Sequence, residues 1–113
     1  MTKNIISKVI GKYDLILRRK QMRKITLKDF FENKKILAIN CKTEEEAEKL
    51  CEAFEKMGKK WYDGDSYLKT NPWWFFEEEI CYLNNGYCSD KKDCKKKHYK
   101  VFKFKNVIFE EAK

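Results

Sequence analysis

The stretch CYLNNGYCSDKKDCKKKH, residues 81–98, decides how this chain is read. It holds three of the five cysteines and the single histidine, at the spacing C-x6-C-x5-C-x3-H. Two architectures compete for it. Three thiolates and one imidazole satisfy a tetrahedral Zn²⁺, and a C-x3-H step sets two ligands one helical turn apart. Cys81, Cys88, Cys94 and His98 are therefore a candidate metal set. Alternatively, the same residues are a strand, a turn and a helix. Asn84-Asn85-Gly86 is a hairpin signal suited to a type I′ turn, and Tyr87-Cys88 starts the returning strand. Ser89 or Asp90 then caps a short lysine-rich helix over about 89–97. This second reading leaves only Cys94 and His98 unexplained, so zinc is kept as the rival and no cofactor is assigned.

Upstream, the clearest element is Thr43–Met57. Thr43 and Glu46 make a T-x-x-E capping box, and Ala47, Leu50, Cys51, Phe54 and Met57 recur at three- and four-residue steps. Gly58 ends the helix. Ile36–Cys41 (ILAINC) is an apolar run that fits an interior strand, and Thr26–Asn33 one or two helical turns behind Thr26 as cap. Lys60–Tyr62 reads as a short strand, Asp63-Gly64-Asp65 as a turn and Asn71-Pro72 as the end of a loop. Trp73–Leu83 reads as the long central strand. Tyr99–Phe104 alternates with lysine as a half-exposed strand, followed by Asn106–Phe109. The order is roughly β-α-β-β-β-α-β: an α+β fold, a single domain with a mainly antiparallel sheet, one long amphipathic helix (about 43–57) and a second short one (about 89–97). That domain spans 22–113. Residues 1–21 read as a basic N-terminal arm or an appended segment, in which Tyr13–Leu17 could be one short strand.

The net charge of +8 sits almost wholly at the start. Residues 1–28 carry nine Lys/Arg against Asp14, whereas 29–113 hold seventeen charges of each sign. Dense positive patches attract polyanions by counterion release. Arg18, Arg19 and Lys20 of the arm, Arg23 and Lys24 just after it, and Lys95, Lys96 and Lys97 are thus candidate contacts to nucleic acid or an acidic surface. All three tryptophans fall between Trp61 and Trp74. Trp61, Tyr62, Trp73 and Trp74 are candidate partner contacts, since Trp and Tyr dominate binding hot spots; a packed core is the competing use.

Several classes fall away. One histidine among lysines makes a poor Cys/His hydrolase, the four glycines build no phosphate cradle, and the carboxylates occur only in runs. No enzyme is expected. No apolar run approaches the roughly 18–20 residues needed to span a bilayer, nor does the N-terminus show a secretory pattern. A cytoplasmic protein with free thiols is expected.

Two resemblances add to this. Cys81, Gly86-Tyr87-Cys88, Asp93-Cys94 and Lys95–His98 are similar to CCCH-type zinc fingers, which implies single-stranded RNA binding; Lys95-Lys96-Lys97 stands where such fingers carry a stacking ring. From about Met22 onward, Ile39–Ala47 (INCKTEEEA), Gly58–Trp61 (GKKW), Trp74, Ile80-Cys81-Tyr82, Tyr87-Cys88-Ser89 and Tyr99–Phe104 resemble small accessory proteins of phages and prophages of low-GC Gram-positive bacteria. That second likeness implies an aromatic residue and a glycine at the positions of Cys94 and His98. It implies no catalytic residues and suggests action by binding in the host cell cytoplasm. The expected role is an anti-CRISPR-like antagonist of a host defence protein or its nucleic acid. The alternatives are a zinc RNA-binding module and an oligomeric sponge for a nucleotide second messenger.

Overall fold

A computed structural model describes residues 24–109, which form an α+β domain with a mainly antiparallel sheet. The basic arm with Arg18, Arg19 and Lys20, the neighbouring Arg23 and the strand expected at Tyr13–Leu17 lie outside the described residues.

The chain enters through β1 (Ile25–Thr26). Thr26 is extended, and its hydroxyl accepts the Asp29 amide at 3.1 Å, starting helix α1 (Leu27–Glu32). Strand β2 (Leu37–Asn40) is buried at all four positions, as expected for an interior strand. Helix α2 (Glu44–Lys56) begins at Thr43, whose hydroxyl accepts the Glu46 amide at 3.1 Å. The reciprocal arm of the box is shifted by one residue: Glu46 Oε1 accepts from the Lys42 amide at 2.9 Å. Later come helix α3 (Trp73–Phe76), a 3₁₀ turn (Glu77–Glu79) and strand β3 (Ile80–Leu83). Strand β4 (Cys88–Asp90), helix α4 (Lys91–Lys96), strand β5 (Lys100–Lys103), a 3₁₀ turn (Phe104–Asn106) and β6 (Val107–Ile108) follow.

The main sheet has the order β4-β3-β2-β5. β3 pairs antiparallel with both β2 and β4, and β5 joins β2 in parallel. A parallel neighbour requires a crossover, and α4 supplies it. β1 and β6 pair separately, in parallel.

Strand alternation divides the core into two faces. Leu37, Ile39, Ile80, Tyr82 and Phe102 point toward α1, α2 and the loop carrying Trp61 and Tyr67. Ala38, Cys81 and Leu83 point the other way, onto Cys94 of α4, with Ile36, Tyr99 and Val101 at the margin. The buried Asn40 amide donates to the carbonyls of Glu78 and Ile80 at 3.0 and 2.8 Å, fixing the entry to β3.

Three local expectations are corrected. Trp73–Leu83 is not one strand. The Asn71 carboxamide accepts the Trp73 amide at 3.2 Å, and the Pro72 carbonyl accepts the Phe75 and Phe76 amides at 3.0 and 3.2 Å, so Trp73–Phe76 coils into one helical turn. Only Ile80–Leu83 is extended. Lys60–Tyr62 is reduced to a single bridge between Lys60 and Ser66. The Asn84–Gly86 turn is not type I′, because Asn84 and Asn85 keep negative φ and only Gly86 is positive, at 89°. It is a three-residue loop closed by Gly86 N–H to Leu83 O (3.4 Å) and Leu83 N–H to Tyr87 O (2.9 Å). Asn84 is held by its carboxamide, which accepts from Leu37 N and donates to the carbonyls of Phe30 and Lys35.

Candidate partner-binding surface

The cysteine–histidine spacing dissolves once the register is known. Cα pairing places Cys88 opposite Tyr82, not Cys81. Paired residues share a face, so Cys88 lies with the α2-side core while Cys81 and Cys94 meet on the α4 side. His98 is exposed beyond α4. The structure thus brings Cys81 and Cys94 together, places Cys88 on the opposite face and leaves His98 exposed. Among the described residues, no group of three or more His, Cys, Asp or Glu is placed to hold a metal.

His98 has a backbone role instead. Its φ is 63°, its amide donates to Lys95 O at 3.0 Å, and the Tyr99 amide donates to Cys94 O at 2.9 Å. This is a Schellman ending, with His98 in the left-handed position. Helix α2 ends the same way, with Gly58 (φ 76°) bonded to Glu55 O and Lys59 to Phe54 O. Glycine is unstrained there, whereas an L side chain costs about 1–2 kcal/mol. His98→Gly is therefore expected to raise stability by about 1 kcal/mol in urea denaturation. A loss of stability would give the imidazole a structural partner that this account does not.

Four of the five thiols are held protonated, whereas the hydrogen bond with Cys81 lowers the pKa of Cys94. Burial pushes Cys51 from 9.0 up to about 11 and raises Cys41 and Cys88 as well. Cys81 is raised by its hydrogen bond to Cys94 and then by burial. These groups are neutral in the fold and ionise more readily in the unfolded chain. Stability is hence intact below pH 9 and falls above it, by about 1.4 kcal/mol per pH unit for each such thiol until the folded value is reached. The urea midpoint should drop steeply between pH 9 and 11, and Cys51→Ala should make that drop shallower. A flat profile would contradict the burial assigned to these sulfurs.

The aromatic candidates separate cleanly. Trp61 is a core residue: its ring lies 4.4 Å from Tyr67 and 6.0 Å from Tyr82, and its indole N–H donates to Thr70 O at 2.9 Å. Trp73 packs half-buried against the same core with Phe76. A single helical turn sets positions i and i+3 on one side, so Trp73 and Phe76 turn inward and Trp74 and Phe75 outward. Trp74 is 77% exposed and Phe75 66%. Tyr62 is also exposed, stacked on Tyr87 with ring centroids 4.2 Å apart. Glu77 ends α3 at φ 51°, ψ −131°, a strained conformation for a residue with a Cβ.

Charge is segregated around this turn. Glu77 and Glu78 are exposed beside it, and Glu79 is half-buried. Phe75, Phe76, Glu79, Asp90 and Lys92 line an open depression of about 500 Å³ between α3 and the start of α4. The exposed lysines Lys95 and Lys96 belong to the last turn of α4, and Lys97 is its C-cap. Lys97 reaches Asp93 at 3.2 Å; the Ser89 hydroxyl, then Lys97, hold that carboxyl below its usual range. Lys24 is exposed and lines a second depression with Asp29, Glu32 and Lys100.

Glu79, Asp90 and Tyr87 are residues of this surface that sequence reasoning did not single out as contacts. The signal for Glu79 was present in the abrupt change from WWFF to EEE. Among the described residues, no helix is long and apolar enough to cross a membrane. No protein-family model matches the chain, and no curated protein or solved structure matches it either.

Proposed function

We propose that this is a non-enzymatic binding protein that occupies the surface of a host defence protein and so antagonises that defence, with the α3 turn as its main contact. The observation that carries the reading is the exposure of Trp74 and Phe75, at 77% and 66%, on a turn whose other two rings anchor it in the core. Large rigid rings held outward in this way are characteristic anchors of protein interfaces. The resemblance to phage accessory proteins supports the direction of the antagonism. The raised pKa values of Cys41, Cys51, Cys81 and Cys88 favour binding over catalysis.

A second reading, contact with nucleic acid, is favoured by the exposed Lys95, Lys96 and Lys97. Binding through them would fall steeply with added salt. The zinc module gains no support, because Cys88 would have to leave the opposite face of the sheet.

The test is phage plating. Expressed in bacteria carrying a defined defence system, the protein should restore plating of a targeted phage by several orders of magnitude, and Trp74→Ala should abolish much of that rescue. If no system in a panel of defences is relieved, the antagonist reading fails.

A further inference from the structure

The depression beside the aromatic turn has a composition that specifies more than a generic contact. Its walls include the rings of Phe75 and Phe76, which meet edge to face with centroids 4.8 Å apart. Glu79 and Asp90 supply two carboxylates against one ammonium, Lys92. The Asp90 carboxylate uses Oδ1 to cap α4, accepting the Asp93 amide at 2.6 Å, so it is held in place. Glu77 and Glu78, the two residues before Glu79, are exposed.

We propose that this depression receives an arginine side chain of the partner protein. The proposal rests on the protein-binding reading above and names the partner chemistry of the same surface. A guanidinium is planar, stacks on aromatic faces and presents paired N–H groups that match a carboxylate. Two rings and two carboxylates lining one depression satisfy both halves of that chemistry, and cation–π attraction strengthens as the site dries. A lysine ammonium would gain the charge but not the stacking. A phosphate or nucleic-acid strand would meet the Glu79 and Asp90 carboxylates, a like-charge contact that disfavours it. The positive charge of the chain as a whole opposes a cationic ligand, so binding at this place requires the local acidic rim rather than long-range attraction.

The experiment titrates the full-length protein with the peptide Gly-Arg-Gly-Arg-Gly, its lysine counterpart and its citrulline counterpart, following ¹H–¹⁵N signals. Citrulline keeps the shape of arginine without the charge. The arginine peptide is expected to shift the Trp74 indole and the Phe75–Glu79 amides saturably, the lysine peptide several-fold more weakly, and the citrulline peptide not at all. Glu79→Gln should weaken the arginine response about tenfold, while Glu48→Gln, which removes an exposed charge from α2, leaves it unchanged. The proposal is overturned if the citrulline peptide binds equally, if Glu48→Gln weakens binding as much as Glu79→Gln, or if oligothymidylate shifts the Trp74 indole at lower concentration than the arginine peptide. A saturable arginine response without phage rescue would sink the defence reading and keep the pocket. Rescue without an arginine response would do the reverse.

Discussion

Phe54→Ala should cost the fold about 3–5 kcal/mol, a large part of the roughly 5–15 kcal/mol that holds a small domain together. Phe54 is fully buried on α2 and joins four other rings. Phe31 and Tyr67 meet it edge-on at 4.8 and 5.0 Å, Tyr82 at 6.3 Å, and Phe30 stacks on it at 6.0 Å. These rings come from α1, α2, the loop and β3, so no single element can move to fill the cavity. Urea denaturation should show a midpoint lowered by about 2 M. Phe75→Ala, an equal truncation at an exposed site, should change stability by less than about 0.5 kcal/mol. Similar losses for the two would contradict the assignment of one ring to the core and the other to the surface.

Gly86→Ala should be nearly as damaging, for a different reason. A Cβ at this position would stand 2.8 Å from the Tyr62 amide nitrogen, 3.1 Å from its Cα and 3.3 Å from the Trp61 carbonyl carbon. All three are backbone atoms, so relief requires moving the loop. The movement breaks the Tyr62 N–H to Gly86 O bond (3.0 Å), disturbs the buried Trp61 ring and opens the Tyr62–Tyr87 stack. Positive φ adds its own penalty of about 1–2 kcal/mol. A total near 3 kcal/mol is expected, accompanied by a change in tryptophan fluorescence. Gly58→Ala shares the positive φ but meets nothing within 4 Å, and should lose only about 1 kcal/mol. Equal losses would mean that the close approach at Gly86 relaxes without cost.

The contrast between legible and illegible segments has physical roots. Helix α2 was readable because capping, apolar stripe and terminal glycine all favour the same state. Strand β2 was readable because a strand buried on both faces must be apolar throughout. The WWFFEEE segment was not, since aromatic residues suit strands by propensity and the helical turn is set by one carboxamide and one carbonyl, those of Asn71 and Pro72. That error matters for the site. A strand would put Trp74 with Phe76 and Trp73 with Phe75; the helical turn instead pairs Trp74 with Phe75 outward. The choice of period therefore decides which rings a partner meets. The placement of the cysteines was not legible for a related reason: register determines which face Cys88 occupies, and a count of residues between cysteines does not contain the register. His98 carried a recoverable signal. It stands just past a short helix, at the left-handed position where a glycine is favoured.

The central claim is that the α3 turn is the face that meets another protein. Photo-crosslinking tests it most directly. A benzophenone amino acid placed at position 75, or at position 48 on α2, is irradiated in bacteria in which the protein relieves a defence. The account predicts a discrete adduct of higher mass from position 75 and none from position 48. An adduct from position 48 alone, or from neither position while relief persists, would contradict it.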